Sequence, residues 1–334
     1  MGLLKNVAIL VSIASVAYSI RWHFIGRLYR TSRKLETQFL VVITGATSGI
    51  GLATAKEIAK RNSHLVLGCR KLIAGEKIKQ QLKESIGTDI LVDIFELDLG
   101  CLKSVVSFVE QVNNLGKPIY ALVNNAGIFY TPPEATADGS GLERTFQVNY
   151  LAHYLLTIRL LYRLKQCPNS RVVNVVSQAH RGIQCFPDLQ FHRPYDDSSA
   201  NRFQSYSYSK FCLVLFAYKL SSILSGVTDI SVHCIDPGNV ETSIFKHLPS
   251  LSNRLLFCLQ KPIRLLVIKS PHEGAQGILY AILEESRPRF YISNFWSNLE
   301  ETTEINPRVY NPILGETLWT MSRQMCREHL LELS

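Results

Sequence analysis

Apolar residues along this chain fall into short unbroken runs, separated by longer stretches in which they recur every three or four positions. Phe39 to Thr44 (FLVVIT) is one such run, β-branched and uncharged, the pattern of a strand buried on both faces of a parallel sheet. Similar runs at Leu65 to Cys69, Ile90 to Leu97, Ala121 to Asn124, Arg171 to Ser177 and Ile230 to Ile235 predict further strands. Between them lie helix-length segments with one apolar face, so strands and helices alternate as a doubly wound α/β sheet requires. The pattern predicts one Rossmann-like domain over residues 37–295, with no linker to split it. A C-terminal extension over 296–334 is expected to be helical and packed on that domain.

The remaining apolar run, Val7 to Ile20, is uncharged and is followed by Arg21, Arg27, Arg30, Arg33 and Lys34. Its 14 residues fall short of the roughly 20 that cross a bilayer, unless flanking side chains reach the interface. Residues 1–36 therefore carry three open readings: a retained membrane anchor with a basic flank facing the cytosol, a signal peptide cleaved after Ser15-Val16-Ala17, or a helix buried on the domain. Asn6 stands where a small hydroxyl would support myristoylation of Gly2.

Composition narrows the function classes. The 334 residues are 46% hydrophobic and 19% charged, which fits a folded globular chain without long disorder. Much of the +9 net charge sits beside the N-terminal apolar run, without a basic helix interleaved with aromatics or a zinc-finger spacing, which argues against nucleic acid as a partner. The eight cysteines form no Cys-x-x-Cys pair or Cys/His cluster, so neither a disulfide framework nor a metal site is expected. No Asn-x-Ser/Thr sequon occurs, which favours a domain in the cytosol.

Candidate chemistry begins where the first strand runs into Gly45-Ala46-Thr47-Ser48-Gly49-Ile50-Gly51 and then into a helical pattern. Strand, glycine loop and helix form a phosphate cradle: glycines admit the pyrophosphate and the helix N-terminus offers free N–H groups. The second strand ends in Cys69-Arg70-Lys71, lacking the carboxylate that would bond a ribose 2′-hydroxyl. Arg70 suits a 2′-phosphate, favouring NADP(H) over NAD(H), unless it is a solvated strand-end arginine. Tyr206 and Lys210 stand four apart, on one face of a helix, where the ammonium is expected to lower the phenol pKa. Tyr208, two residues from Lys210, points elsewhere. Ser177 ends the fifth predicted strand, either facing the site or capping a loop.

These motifs, with Asn124-Asn125-Ala126-Gly127, Asn149 and Pro237-Gly238, resemble the short-chain dehydrogenase/reductase family over residues 38–245, in the family's order. Gly68-Cys69-Arg70, Asn149-Tyr150-Leu151-Ala152-His153, Ser177-Gln178-Ala179-His180 and Lys269-Ser270-Pro271 resemble its membrane-associated retinol dehydrogenase-like members. The resemblance implies Tyr206 as general acid/base, Lys210 on the nicotinamide ribose, Ser177 on the substrate oxygen and Asn149 holding a water that links Lys210 to solvent, unless Asn149 only braces a helix kink. It implies dinucleotide contacts from Gly45, Thr47, Ser48, Gly49, Ile50, Gly51, Asn125, Ala126 and Gly127. Asp98 and Leu99 would flank the adenine, and Pro237, Gly238, Val240 and Thr242 would meet the nicotinamide carboxamide.

The stretch Ile244 to Ser270 mixes leucines with Lys246, Arg254, Lys261 and Arg264, as an amphipathic cover over a greasy pocket would, or an ordinary core helix pair. With an N-terminal anchor it points to a lipophilic alcohol or carbonyl substrate: a retinoid, a steroid or an isoprenoid. The reading places the chain on the endoplasmic reticulum membrane with the domain in the cytosol, and allows a homodimer. Two other classes remain: a catalytically silent nucleotide-binding interaction protein, and an epimerase or dehydratase on the same fold. Silent relatives commonly lose the serine, tyrosine or lysine present here, and the tail is short for an extra substrate domain.

Overall fold

Seven strands form one parallel sheet in the order β3-β2-β1-β4-β5-β6-β7: β1 Leu40–Thr44, β2 His64–Cys69, β3 Leu91–Glu96, β4 Ile119–Asn124, β5 Arg171–Val175, β6 Ser231–Ile235 and β7 Phe290–Ser293. The computed structural model describes residues 2–26, 28–183, 198–242, 266–285, 288–293 and 304–330. Every residue of β1, β2, β4 and β5 is buried, which is why their sequences are mostly apolar rather than alternating. Each fully buried Leu, Ile or Val contributes roughly 1.5–3 kcal/mol relative to exposure. The first six strands fall where the sequence predicts them. The seventh was not predicted, because four residues after Arg-Pro-Arg give too little pattern.

Among the described residues, eight principal helices accompany the sheet: α1 Gly2–Ile25, α2 Gly49–Ala59, α3 Leu72–Ile86, α4 Leu102–Asn114, α5 Ala152–Lys165, α6 Ser199–Leu224, α7 Gln276–Leu283 and α8 Pro312–Met325. One face carries the cluster of Phe108, Tyr154, Leu160, Phe211 and Phe216 from α4, α5 and α6. The other carries Ala55, Ile58, Ile78, Leu82, Ile278 and Ile282 from α2, α3 and α7. Strand order reverses between β1 and β4, which opens a crevice at the carboxyl edge of the sheet. Among the C-terminal residues, α8 lies on α6 and α5, where Trp319 stacks on Phe216 at 6.1 Å and the Tyr150 hydroxyl meets Ser322 Oγ at 2.6 Å.

The predicted apolar run Val7 to Ile20 lies inside α1, whose 24 residues include charged Lys5 and Arg21. No helix among the described residues is long and apolar enough to cross a membrane. After α1 the chain runs alongside α7. Arg21 pairs with Glu273 just before α7, the Tyr29 N–H donates to Gln276 Oε1 at 2.9 Å, and Arg33 reaches the Leu283 carbonyl at 2.6 Å and Glu285 at 3.0 Å. Arg33 and buried Arg171 both pack on the Tyr120 ring, at 5.7 and 5.1 Å from its centroid, and Leu35 is buried. Arg21 and Arg33, both part of the predicted basic flank, thus engage carboxylates of the domain. The predicted amphipathic stretch lies outside the described residues from 243 to 265, as do 296–303 and 331–334 of the C-terminal extension.

Candidate active site

The glycine loop leaves β1 through Gly45, which has φ +67° and lies so close to Ala126 that a Cβ there would come within 2.8 Å of the Ala126 Cα. Gly51, in the first turn of α2, is closed in likewise: a Cβ would stand 2.4 Å from Asn125 Nδ2 and 2.5 Å from the Gly45 carbonyl oxygen. Only hydrogen fits at either position. Ser48 precedes α2 without making a side-chain cap, so the first-turn N–H groups stay available to a phosphate. These features, with Thr47 and Ile50 between the glycines, fit a dinucleotide pyrophosphate.

Thr44 ties this loop to the one after β4. Its Oγ1 accepts from the Asn125 and Ala126 N–H groups, both at 3.0 Å. Asn125 returns the tie by donating Nδ2 to the Thr44 and Gly45 carbonyls at 2.8 and 3.3 Å. The geometry gives the Asn125 side chain a loop-holding position. His153 reaches Thr44 Oγ1 with Nε2 at 3.1 Å and the Asn149 carbonyl with Nδ1 at 3.2 Å. A proton on Nδ1 satisfies both contacts, and burial holds the His153 pKa down to about 3, so the ring stays neutral.

Asn149 stands in a π-helical turn, Gln147–Leu151, that precedes α5. The turn carries its amide to the strand-end loop: Oδ1 accepts from the Ile128 N–H at 2.8 Å, and Nδ2 donates to the Ile128 carbonyl at 2.9 Å and to Ser209 Oγ at 3.0 Å. Both amide protons are therefore committed. Gly127 separates this amide from Lys210, since a Cβ on Gly127 would lie 3.3 Å from Asn149 Oδ1 and 3.6 Å from Lys210 Nζ. Lys210 itself donates to the Val175 carbonyl at 2.8 Å and sits 5.9 Å from the centre of the Tyr206 ring.

Tyr206 and Lys210 share a face of α6 as the spacing predicts, 9% and 3% exposed. Tyr208 lies in the core, stacked on Phe146 at 6.0 Å. Ser177 caps the short 3₁₀ turn after β5, accepting from the Ala179 N–H at 3.3 Å, and its side chain also acts on the Tyr206 phenol. The two alternatives for this serine thus coexist in one position. One expectation needs correcting. Burial pushes the Tyr206 phenol up to about 12, with Ser177 pulling down and Asp236 pushing further up. Lys210 does not bring it down, and is itself lowered by burial to about 8, with Asp236 opposing.

Asp236 is the principal site residue that sequence reasoning missed. It follows β6 directly, is 7% exposed, and accepts from the Gly238 N–H through Oδ1 at 2.9 Å, while its Oδ2 has no hydrogen-bond partner. Burial raises its pKa, opposed by that bond and by Arg181 and Lys269. An acidic residue directly after a buried strand was the available signal. Phe129 was also missed; its ring stands 4.6 Å from that of Tyr206, edge to face.

The remaining predicted positions fall around the same crevice. Arg70 is exposed at the end of β2. Asp98 shapes the turn into α4, accepting from the Gly100 N–H at 2.9 Å, and Leu99 is buried beside it. Pro237 and Gly238 lead into Val240, which is buried, and Thr242, whose methyl would stand 3.0 Å from a Cβ on Gly49.

The chain matches the family model for short chain dehydrogenases over residues 40–186. It is 36% identical to human retinol dehydrogenase 12 over 312 residues, 93% of each chain. It is 32% identical to human polyprenol dehydrogenase over 295 residues, covering 86% of this chain and 84% of that one. Among solved structures it is similar to an uncharacterised protein from Mycobacterium paratuberculosis, with a TM-score of 0.67, 28% identity and coverage of 90% and 98%. Actinorhodin polyketide ketoreductase, solved with NADPH, shares the fold at a TM-score of 0.61 and 22% identity, covering 79% of this chain and 99% of its own.

Proposed function

Because the chain belongs to the short-chain dehydrogenase/reductase family and is similar to its retinol dehydrogenases, we propose that it moves a hydride between NADP(H) and a lipophilic alcohol or carbonyl, with Tyr206 as general acid/base. It is an oxidoreductase of that family, like the retinol and polyprenol dehydrogenases it matches. The observation that carries the proposal is the placing of buried Tyr206 and Lys210 on one face of α6, with Lys210 bonded to the Val175 carbonyl at the carboxyl edge of β5, beside a glycine loop too tight for any side chain. The nicotinamide, when bound, supplies the hydride acceptor or donor.

The chain's own residues do the rest. In reduction Tyr206 donates its phenol proton to the carbonyl oxygen, and in oxidation its oxygen takes the hydroxyl proton. Ser177 donates to the same substrate oxygen and stabilises charge gathering there. Lys210, buried and lowered to a pKa of about 8, still carries its proton for most of the time at physiological pH, holds the nicotinamide ribose and exchanges a proton behind the tyrosine. Asn149, through the unused lone pair of Oδ1 across Gly127, orients a water next to Lys210. Gly45, Thr47, Ser48, Gly49, Ile50 and Gly51 hold the pyrophosphate, Asp98 and Leu99 flank the adenine, and Ala126 and Gly127 line the ribose. Pro237, Gly238, Val240 and Thr242 take the carboxamide. Arg70, exposed and free to swing, takes a ribose 2′-phosphate in preference to a hydroxyl.

The substrate reading, a retinoid, steroid or isoprenoid, draws on the names of the relatives and on the apolar ring of Phe129 beside Tyr206. Membrane association, on the endoplasmic reticulum with the domain in the cytosol, is supported by α1. It exposes Val11, Val16, Tyr18 and Trp22, and stacks the last two at 6.4 Å. A homodimer is compatible with this arrangement.

The test is to incubate the purified protein with NADPH or NADP+ and a panel of retinoids, steroids and isoprenoid alcohols or aldehydes, beside Tyr206→Phe. Turnover of one class is expected, falling at least about a hundredfold in the variant. Turnover intact in Tyr206→Phe would sink the mechanism.

A further inference from the structure

Near its C-terminal end, α1 brings Arg21 against the turn Pro271–Gly274. One guanidinium nitrogen lies between both carboxylate oxygens of Glu273, at 2.8 and 2.7 Å, and the other donates to the Ile268 carbonyl at 2.7 Å. The pair is largely shielded, with side-chain exposures of 25% and 16%, so water screens it only in part.

Glu273 does two things at once. It closes a capping box with Ser270 around the turn Pro271–Gly274, accepting from the Ser270 N–H at 2.7 Å while Ser270 Oγ accepts from the Glu273 N–H at 3.3 Å. The residue before that box, Lys269, forms a parallel bridge with the strip after β6. Its N–H donates to the Asn239 carbonyl and its carbonyl accepts from the Glu241 N–H, both at 2.8 Å. Gly274 meets the same strip, since a Cβ there would stand 2.6 Å from Val240 Cγ2 and 3.3 Å from Ile50 Cγ1. Two short steps of rigid backbone thus connect Arg21 with Val240 and Thr242 on one side and with the glycine-loop helix on the other.

We propose that Arg21 is a positioning residue for the dinucleotide site: by pairing with Glu273 it holds the strip Asn239–Thr242 against the glycine loop, making the N-terminal helix a working part of the cofactor wall. The inference rests on the reading of that strip as a nicotinamide contact. Arg21 touches neither cofactor nor substrate. Its removal leaves the Ile268 carbonyl without this donor and one side of the Glu273 carboxylate without its partner charge, so the bridge at Lys269 opens more often. Glu273→Gln supplies a second perturbation, because glutamine also closes a capping box through its carbonyl oxygen while the charge and one acceptor toward Arg21 are lost.

Hydrogen exchange of the Glu241 and Lys269 amides, followed in the full chain without cofactor, reads the clamp directly. NADPH titration and steady-state kinetics then read its consequence. Arg21→Ala and Glu273→Gln are each expected to speed exchange at those two amides and to raise the NADPH dissociation constant about tenfold, with kcat at saturating cofactor within about twofold of wild type. The double variant should be no worse than either single one, and Arg21→Lys should fall between. Unchanged exchange, or faster exchange with unchanged NADPH affinity, overturns the inference. If the amides loosen but the wild-type chain binds neither NADPH nor NADH, the clamp stands and the nucleotide reading of the strip fails.

Discussion

Replacing Asn149 with alanine separates a structural brace from a purely chemical role. The substitution removes three hydrogen bonds, to the Ile128 N–H, the Ile128 carbonyl and Ser209 Oγ. Ser209 keeps its own bond to the Tyr206 carbonyl at 2.7 Å and loses only an incoming donor. The two main-chain groups of Ile128 are left unpaired at about 1–3 kcal/mol each, discounted because Ile128 is half-buried and admits some water, which gives about 2–4 kcal/mol in all. For a chain of this size the melting temperature should fall by about 3–6 °C, measured by circular dichroism. Turnover well below that transition should fall as well, since Ile128 leads into Phe129, whose ring packs on Tyr206. A variant that melts within about 1 °C of wild type yet is inactive would refute the brace and leave Asn149 with a catalytic role alone.

Asp236→Asn removes an anion that favours protonated Tyr206 and Lys210, so both groups should titrate lower, and the limb of the kcat/KM profile near the Lys210 value of about 8 should move to lower pH. A profile that stays in place would show that the carboxylate is electrically silent. Ser322→Ala strands the fully buried Tyr150 hydroxyl and should cost about 1–3 kcal/mol in denaturant unfolding, more than Tyr150→Phe, which leaves Ser322 bonded to the Leu318 carbonyl at 2.8 Å. The reverse ranking would contradict the assignment. Arg70→Asp should weaken NADPH binding much more than NADH binding in parallel titrations, and equal losses would remove Arg70 from the 2′-phosphate.

What the sequence made legible follows the range over which each signal acts. Strands β1, β2, β4 and β5 announce themselves because a strand buried on both faces is mostly apolar, and β3 and β6 because apolar and β-branched residues still dominate them. Tyr206 and Lys210 are four residues apart, and helical geometry alone puts them on one face. The partners of Thr44, by contrast, stand 81 and 109 residues away at Asn125 and His153, and Arg21 meets Glu273 across 252 residues. No local pattern encodes such meetings. The π-helical turn at Asn149 is hidden for another reason, because it shifts backbone hydrogen bonds by one residue without changing which side chains are apolar. Spacing also misjudged the Tyr206 phenol: it counts the neighbouring ammonium but not the burial that pushes both groups toward their neutral forms.

The passage of residues 21–36 along α7 determines where this chain tolerates shortening. A version beginning at residue 37, the boundary that hydropathy suggests, would lose Arg33 from the Tyr120 ring and from the Leu283 carbonyl, and would uncover the pocket that buries Leu35. Among the described residues, Arg171 would then be the one cation left on that ring. A cut just before Arg21 spares all of these contacts, so recombinant yield and melting temperature should change abruptly between start sites at 21 and 37 rather than in proportion to length.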